Sequence, residues 1–202
     1  YAETLMLVIT NAPKAVSDNV LFRVIQVISN AADTHTSVSE RAFDALTTAK
    51  FVHDTPLALF AYILGEFGFN VSTQPGKGGY EQFAVLHKHF ATANTRTKGF
   101  LLTAYAKIMN CYPDCRGPVV KILTDMSKSS DAELQQRACE YLKLASGDET
   151  IRETVFDQMP EFPEKVSHFR RHALSHCSSS FLLLFHLSHN THHTKLTIFF
   201  DV

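Results

Sequence analysis

The sequence predicts an all-α fold, a solenoid of antiparallel helix pairs. Three observations carry this. Apolar residues recur at helical spacing from near the start of the chain to about Met159, and strand alternation is absent there. Residues suited to helix capping precede the strongest helices at a near-constant interval. Pro and Gly fall mostly at the joints.

Taken in order, a first helix is predicted near Glu3 to Thr10. "SDNVLFRVIQVIS" then sets Leu21, Val24, Ile25 and Ile28 at i, i+3, i+4, i+7. "KGFLLTAYAKIM" does the same with Leu101, Ala104, Tyr105 and Ile108, and "DAELQQRACEYLKLA" with Leu134, Ala138, Tyr141, Leu142 and Ala145. Ser17, Asp54, Asn94 and Ser130 stand before strong helices as expected caps, separated by 37, 40 and 36 residues. Ser130 with Glu133, and Ser37 with Glu40, have the spacing of capping boxes. Between successive caps a second helix is expected, at Ser39 to Thr48, Tyr80 to Ala93 and Pro118 to Lys128. Two helices in about 36–40 residues, repeated, is the period of HEAT- and armadillo-like α-solenoids. A single pair cannot bury its apolar face; stacking neighbours closes the core.

Composition excludes several classes. Of 202 residues, 45% are hydrophobic and 19% charged, a globular balance. Formal net charge is −1, with no concentrated basic face, so no nucleic-acid partner is expected. The apolar run "FLLLF", Phe181 to Phe185, is far short of a membrane span. Cys111, Cys115, Cys139 and Cys177 are too scattered for a disulfide framework and read as reduced thiols. In "CYPDC", Pro113 breaks the helix between Cys111 and Cys115, which reads as two small side chains at a helix end. "GKGG", Gly76 to Gly79, lacks the Walker pattern and reads as a flexible inter-repeat loop. His87 and His89, two apart, point to different sides of a helix and read as a solvated face. No catalytic, cofactor-binding or metal residues are assigned, and no enzyme activity is expected.

Several of these helices carry a family resemblance. "FRVIQVISN", "YILGEFG" (Tyr62 to Gly68), "TRTKGFLLTAYAKIMNCYPD" and "DAELQQRACEYLKL" (Asp131 to Leu144) resemble consecutive helices in the trunk of the alpha-adaptins, large subunits of the plasma-membrane clathrin adaptor complex. "MPEFPEK", Met159 to Lys165, is similar to the segment closing that trunk before its hinge. The resemblance covers residues 1 to about 165 and places them in the C-terminal part of the trunk. It implies a non-catalytic scaffold without cofactor, acting in endocytosis and vesicle-mediated protein transport. It implies a cytoplasmic protein, peripheral at plasma-membrane clathrin-coated pits. The implied partners are a second large chain, a medium chain and a small chain, with no subunit-contact residue assigned. Clathrin coat and phosphoinositide membrane would be reached through parts lying outside this stretch. A different solenoid scaffold, such as a nuclear transport receptor, is the alternative. Within "YILGEFG", Gly65 and Gly68 would let helices approach closely. Glu66 is expected to be a satisfied inner-face polar group rather than a partner contact.

After Lys165 the family pattern stops, so two segments are expected: 1–165 as trunk and 166–202 as an atypical tail. The tail holds seven of the eleven histidines: His168, His172, His176, His186, His189, His192 and His193. His168, His172 and His176 fall at i, i+4, i+8, beside Cys177, which raises a metal-binding module as an alternative. Two turns of rise, about 12 Å, prevent one ion from taking all three on a straight helix. "FLLLFHL" could instead dock as an amphipathic extension. The Phe/Leu/Ser/His/Thr bias, and "KVS" reading as a splice donor in frame, favour a third account: from Val166 the tail is translated intron. The stack is also expected to expose Leu5, Leu7 and Ile9 at its first helix and to be marginally stable alone.

Overall fold

A computed structural model of the chain describes residues 2–163. Among the described residues all regular structure is helical. Helix α1 (Ala2–Asn11) pairs with α2 (Asp18–Ser29), and α3 (His35–Thr48) with α4 (Asp54–Phe67). Next, α5 (Gly79–His87) pairs with α6 (Thr95–Cys111), and α7 (Arg116–Met126) with α8 (Ala132–Ala145). The predicted pairs and their period are thus present. A short α9 (Glu149–Phe156), which the sequence reading did not single out, packs on α6 and α8.

The even-numbered helices form one continuous layer. Between α2 and α4, Ser29 Oγ and the Tyr62 hydroxyl lie 2.8 Å apart. The same device recurs between α6 and α8, where Thr103 Oγ1 meets the Tyr141 hydroxyl at 2.8 Å. Each pair satisfies polar groups inside an otherwise apolar contact, which would be costly to leave unbonded. Between α4 and α6 no hydroxyl pair is needed, because Gly65 removes the side chain. A Cβ there would stand 2.9 Å from the Ala104 Cα. The helices therefore touch backbone to side chain, as the glycines of "YILGEFG" suggest. Gly68 has the same role against Gln82, whose Nε2 donates to the Gly68 carbonyl at 2.8 Å. Substituting Val at Gly65 is expected to destabilise the fold by about 1–3 kcal/mol, since the neighbouring atom is backbone and cannot rotate away. Urea denaturation measures this.

The caps need correcting in detail. Asn94 does cap α6, accepting from the Thr97 N–H at 2.8 Å. Ser17 occupies the cap position of α2 with extended backbone, but its side chain bonds no helix N–H. Asp54 is the first helical residue, not the cap; its carboxylate accepts the Asn94 N–H at 2.9 Å from the next repeat. Ser130 is one residue early: Asp131 caps α8 through the Leu134 N–H. Ser37 lies inside α3 and donates back to the Thr34 carbonyl, so no capping box forms there. A short polar side chain satisfies whichever orphan group lies nearest, and periodicity alone does not fix that by one residue.

Two further expectations change. The helix predicted for Tyr80 to Ala93 ends at His87, and turns carry the chain to α6. At α1, Ile9 is buried and Leu5 half-buried; the exposed apolar residues are Leu7 and Val8. The reason is that α1 packs against α2, α3 and α4, which bury the face carrying Met6 and Ile9. Lys165, Val166, the tail histidines and Cys177 lie outside the described residues.

Candidate functional site

The most strongly polar buried feature lies where α4, α6 and the segment after α9 meet. Glu66 is the penultimate residue of α4, and the periodicity of that helix turns it inward, 6% exposed. Lys107 comes from the buried face of α6, one turn after Ala104, at 9% exposure. Lys107 Nζ lies 2.5 Å from Glu66 Oε1. The same ammonium donates to the Asp157 carbonyl at 3.0 Å, and Glu66 Oε2 accepts the Met159 N–H at 3.1 Å. Glu66 is therefore satisfied by inner-face partners, as expected. The ion pair borders a cleft of about 320 Å³, lined by Gly65, Phe69, Ile108, Tyr112 and Phe156 among others. Burial and the nearby Glu66 charge both push the Tyr62 hydroxyl above its ordinary pKa, so it stays protonated.

Sequence reasoning overlooked Lys107, yet a signal existed. In "FLLTAYAKIM" it falls three residues after Ala104, on the stripe that the apolar residues define. A lysine on such a stripe demands a buried anion.

Of the two histidines of "HKH", His87 is exposed, as a solvated face requires, but His89 is not. His89 is 2% exposed and lies beyond the end of α5, in the turns, where helical spacing no longer applies. Its Nε2 has no hydrogen-bond partner. His87 stacks on Phe83, with ring centroids 5.4 Å apart, and on Phe90 at 5.6 Å. Burial lowers the pKa of both imidazoles. In the folded state each favours the neutral form more than in the unfolded chain, which protonates near its ordinary value. Stability is accordingly full above about pH 6.5 and declines as pH falls toward the lowered folded-state values. Denaturation midpoints at pH 7.5 and 5.5 check this; His89→Leu is expected to flatten the decline.

The remaining motifs place as structural groups. Cys111 ends α6 and is exposed, while Cys115 is buried at the end of the 3-10 turn Pro113–Cys115. Burial pushes the Cys115 thiol up to about 11, which keeps it protonated and unreactive. In "GKGG", Gly76 adopts a left-handed φ of 75°. Lys77 turns away from the loop to pair with Asp44 at 3.0 Å and to cover the Phe43 ring. That aims its charge at α3 rather than at a phosphate cradle. A second groove, about 340 Å³, runs between α5 and α7 and is lined by Phe83, His87, Phe90, Pro118, Ile122 and Met126 among others.

Stacked helix pairs tied by periodic cross-repeat contacts define the class, a helical-repeat protein that presents long continuous surfaces. Within that class the chain belongs to the adaptin family: the model of the adaptin N terminal region matches residues 1–149. It is 36% identical over 162 residues to the AP-2 complex subunit alpha-2 of Dictyostelium discoideum, covering 80% of this chain and 16% of that protein. The AP-2 complex subunit alpha-1 of Arabidopsis thaliana is 33% identical over 171 residues, 83% of this chain and 17% of the relative. The AP-2 complex subunit alpha of Schizosaccharomyces pombe is 27% identical over 162 residues, with 80% and 18% covered. The chain thus spans about a sixth of the length of these relatives.

Proposed function

We propose that the chain is the C-terminal part of the trunk of an alpha-type large subunit, a non-catalytic scaffold of the clathrin adaptor acting in endocytosis. The observation that carries this reading is the sustained likeness to AP-2 alpha subunits over four fifths of the chain, along an unbroken stack of helix pairs. A solenoid of this kind supplies extended surfaces against which other subunits pack, without needing a reaction centre. The partners are the second large chain, the medium chain and the small chain. The place of action is the cytoplasmic side of plasma-membrane coated pits, with clathrin and phosphoinositide contacts made elsewhere in the whole subunit.

The full chain, tagged and expressed in cells, is expected to co-purify with the small and medium adaptor chains. Recovery of a transport GTPase in their place would overturn the reading. The division at Lys165 is part of the same proposal: residues 166–202 are translated intron rather than a metal module. Long-read cDNA from the locus is expected to show splicing after Lys165 and further helical-repeat codons upstream. A continuous coding exon through Val166, or tight stoichiometric zinc binding lost in His172→Ala, would sink that part.

A further inference from the structure

We infer that the Glu66–Lys107 pair is a clasp for the chain that leaves the solenoid, a conformational device separable from its contribution to the core. The pair lies at the point where the segment after α9 crosses α4 and α6. Each charge makes one bond to its ion-pair partner and one to the backbone of that segment. Lys107 Nζ donates to the Asp157 carbonyl at 3.0 Å, and Glu66 Oε2 accepts from the Met159 N–H at 3.1 Å. The two backbone groups have opposite polarity and stand two residues apart, so the pair reads an extended strand of chain rather than any side chain. This accounts for a buried charge pair at a site where apolar packing would hold α4 and α6 together equally well. Gly65, beside Glu66, already brings α4 against Ala104 of α6.

Two further contacts anchor the chain on its way into the crossing segment. Phe156 is anchored by an edge-on contact with Tyr141, with centroids 5.7 Å apart. Arg152 Nε of α9 donates to Asn110 Oδ1 at 3.0 Å. Beyond Phe156, Asp157, Gln158, Glu161 and Pro163 are exposed, and Met159 is half-buried. Among the described residues, the clasp supplies the bonds from α4 and α6 that hold Asp157 and Met159. Opening it would free this segment, lay bare both charges in the cleft and leave the helix pairs intact. A segment held by a few bonds opens at lower free energy than the packed helix pairs.

The test is hydrogen exchange on the full chain. In the Glu66→Leu/Lys107→Met double variant, the amides of Asp157, Gln158, Met159 and Glu161 are expected to exchange about 10- to 100-fold faster, the loss of charge-assisted bonds, while α4 and α6 keep their protection. Met159→Pro removes only the donated N–H, leaves the ion pair in place and is expected to speed exchange of Asp157 and Gln158 alone. Unchanged exchange of 157–161 in both variants would overturn the proposal. Loss of α4 and α6 protection together with the segment in the double variant would also overturn it, because the pair would then be core structure.

Discussion

Replacing Tyr105 with Ala is expected to cost about 3–5 kcal/mol of stability, the upper range for an aromatic removed from a close-packed interior. Tyr105 is fully buried near the middle of α6. Its ring meets Phe83 edge-on at 5.1 Å and lies within 6 Å of both His87 and Phe90. These neighbours come from α5 and the turns after it, so the ring helps to join the short α5 to the layer of even-numbered helices. The rigid α6 backbone cannot collapse into the space left behind. In thermal unfolding the midpoint should fall by about 10 °C for a domain of this size. Tyr105→Phe should change little, because the hydroxyl's bond to His87 Nδ1 is long, 3.5 Å. A large loss in the Phe variant would show that the hydroxyl, not the ring, holds α5.

Lys107→Ala is expected to be comparably damaging, about 3–5 kcal/mol, for a different reason. It strands the Glu66 carboxylate, 6% exposed, without its counter-charge. Glu66→Ala should cost a similar amount by stranding the ammonium. The Glu66→Leu/Lys107→Met double variant should recover most of the loss, since no uncompensated charge remains and apolar side chains of like size fill the space. Chemical denaturation of the two single variants and the double variant measures the coupling directly. A strictly additive result would mean that the two charges act independently.

Much of this fold was legible because a repeat states its pattern several times. The stripes of α2, α6 and α8 and the spacing of about 36–40 residues each predict stacked pairs, and errors at single residues do not disturb that inference. Asn94 was readable as a cap because its amide side chain bonds locally, to a backbone group three residues on. Asp54 was misread for the converse reason: its partner is the Asn94 N–H, 40 residues away. His87 is exposed as read, but His89 was misread because α5 stops at His87, so the helical rule that put both on a solvated face does not reach His89.

The candidate site divides along the same line. "YILGEFG" announced a close helix approach and an inward glutamate, and both are present at Gly65 and Glu66. Its partners were not announced. Lys107 is 41 residues from Glu66 and Met159 is 93, and no local rule links positions so far apart.

By itself, then, the sequence determined the helix class, the repeat period, the inward stripes and the family to which they belong. These depend on local periodicity and on patterns repeated along the chain. Only the tertiary structure decided which hydroxyls pair across repeats, which charges meet inside and where the chain after α9 is pinned. Those contacts come from distant segments brought together by packing, and their geometry exists only once the stack has formed.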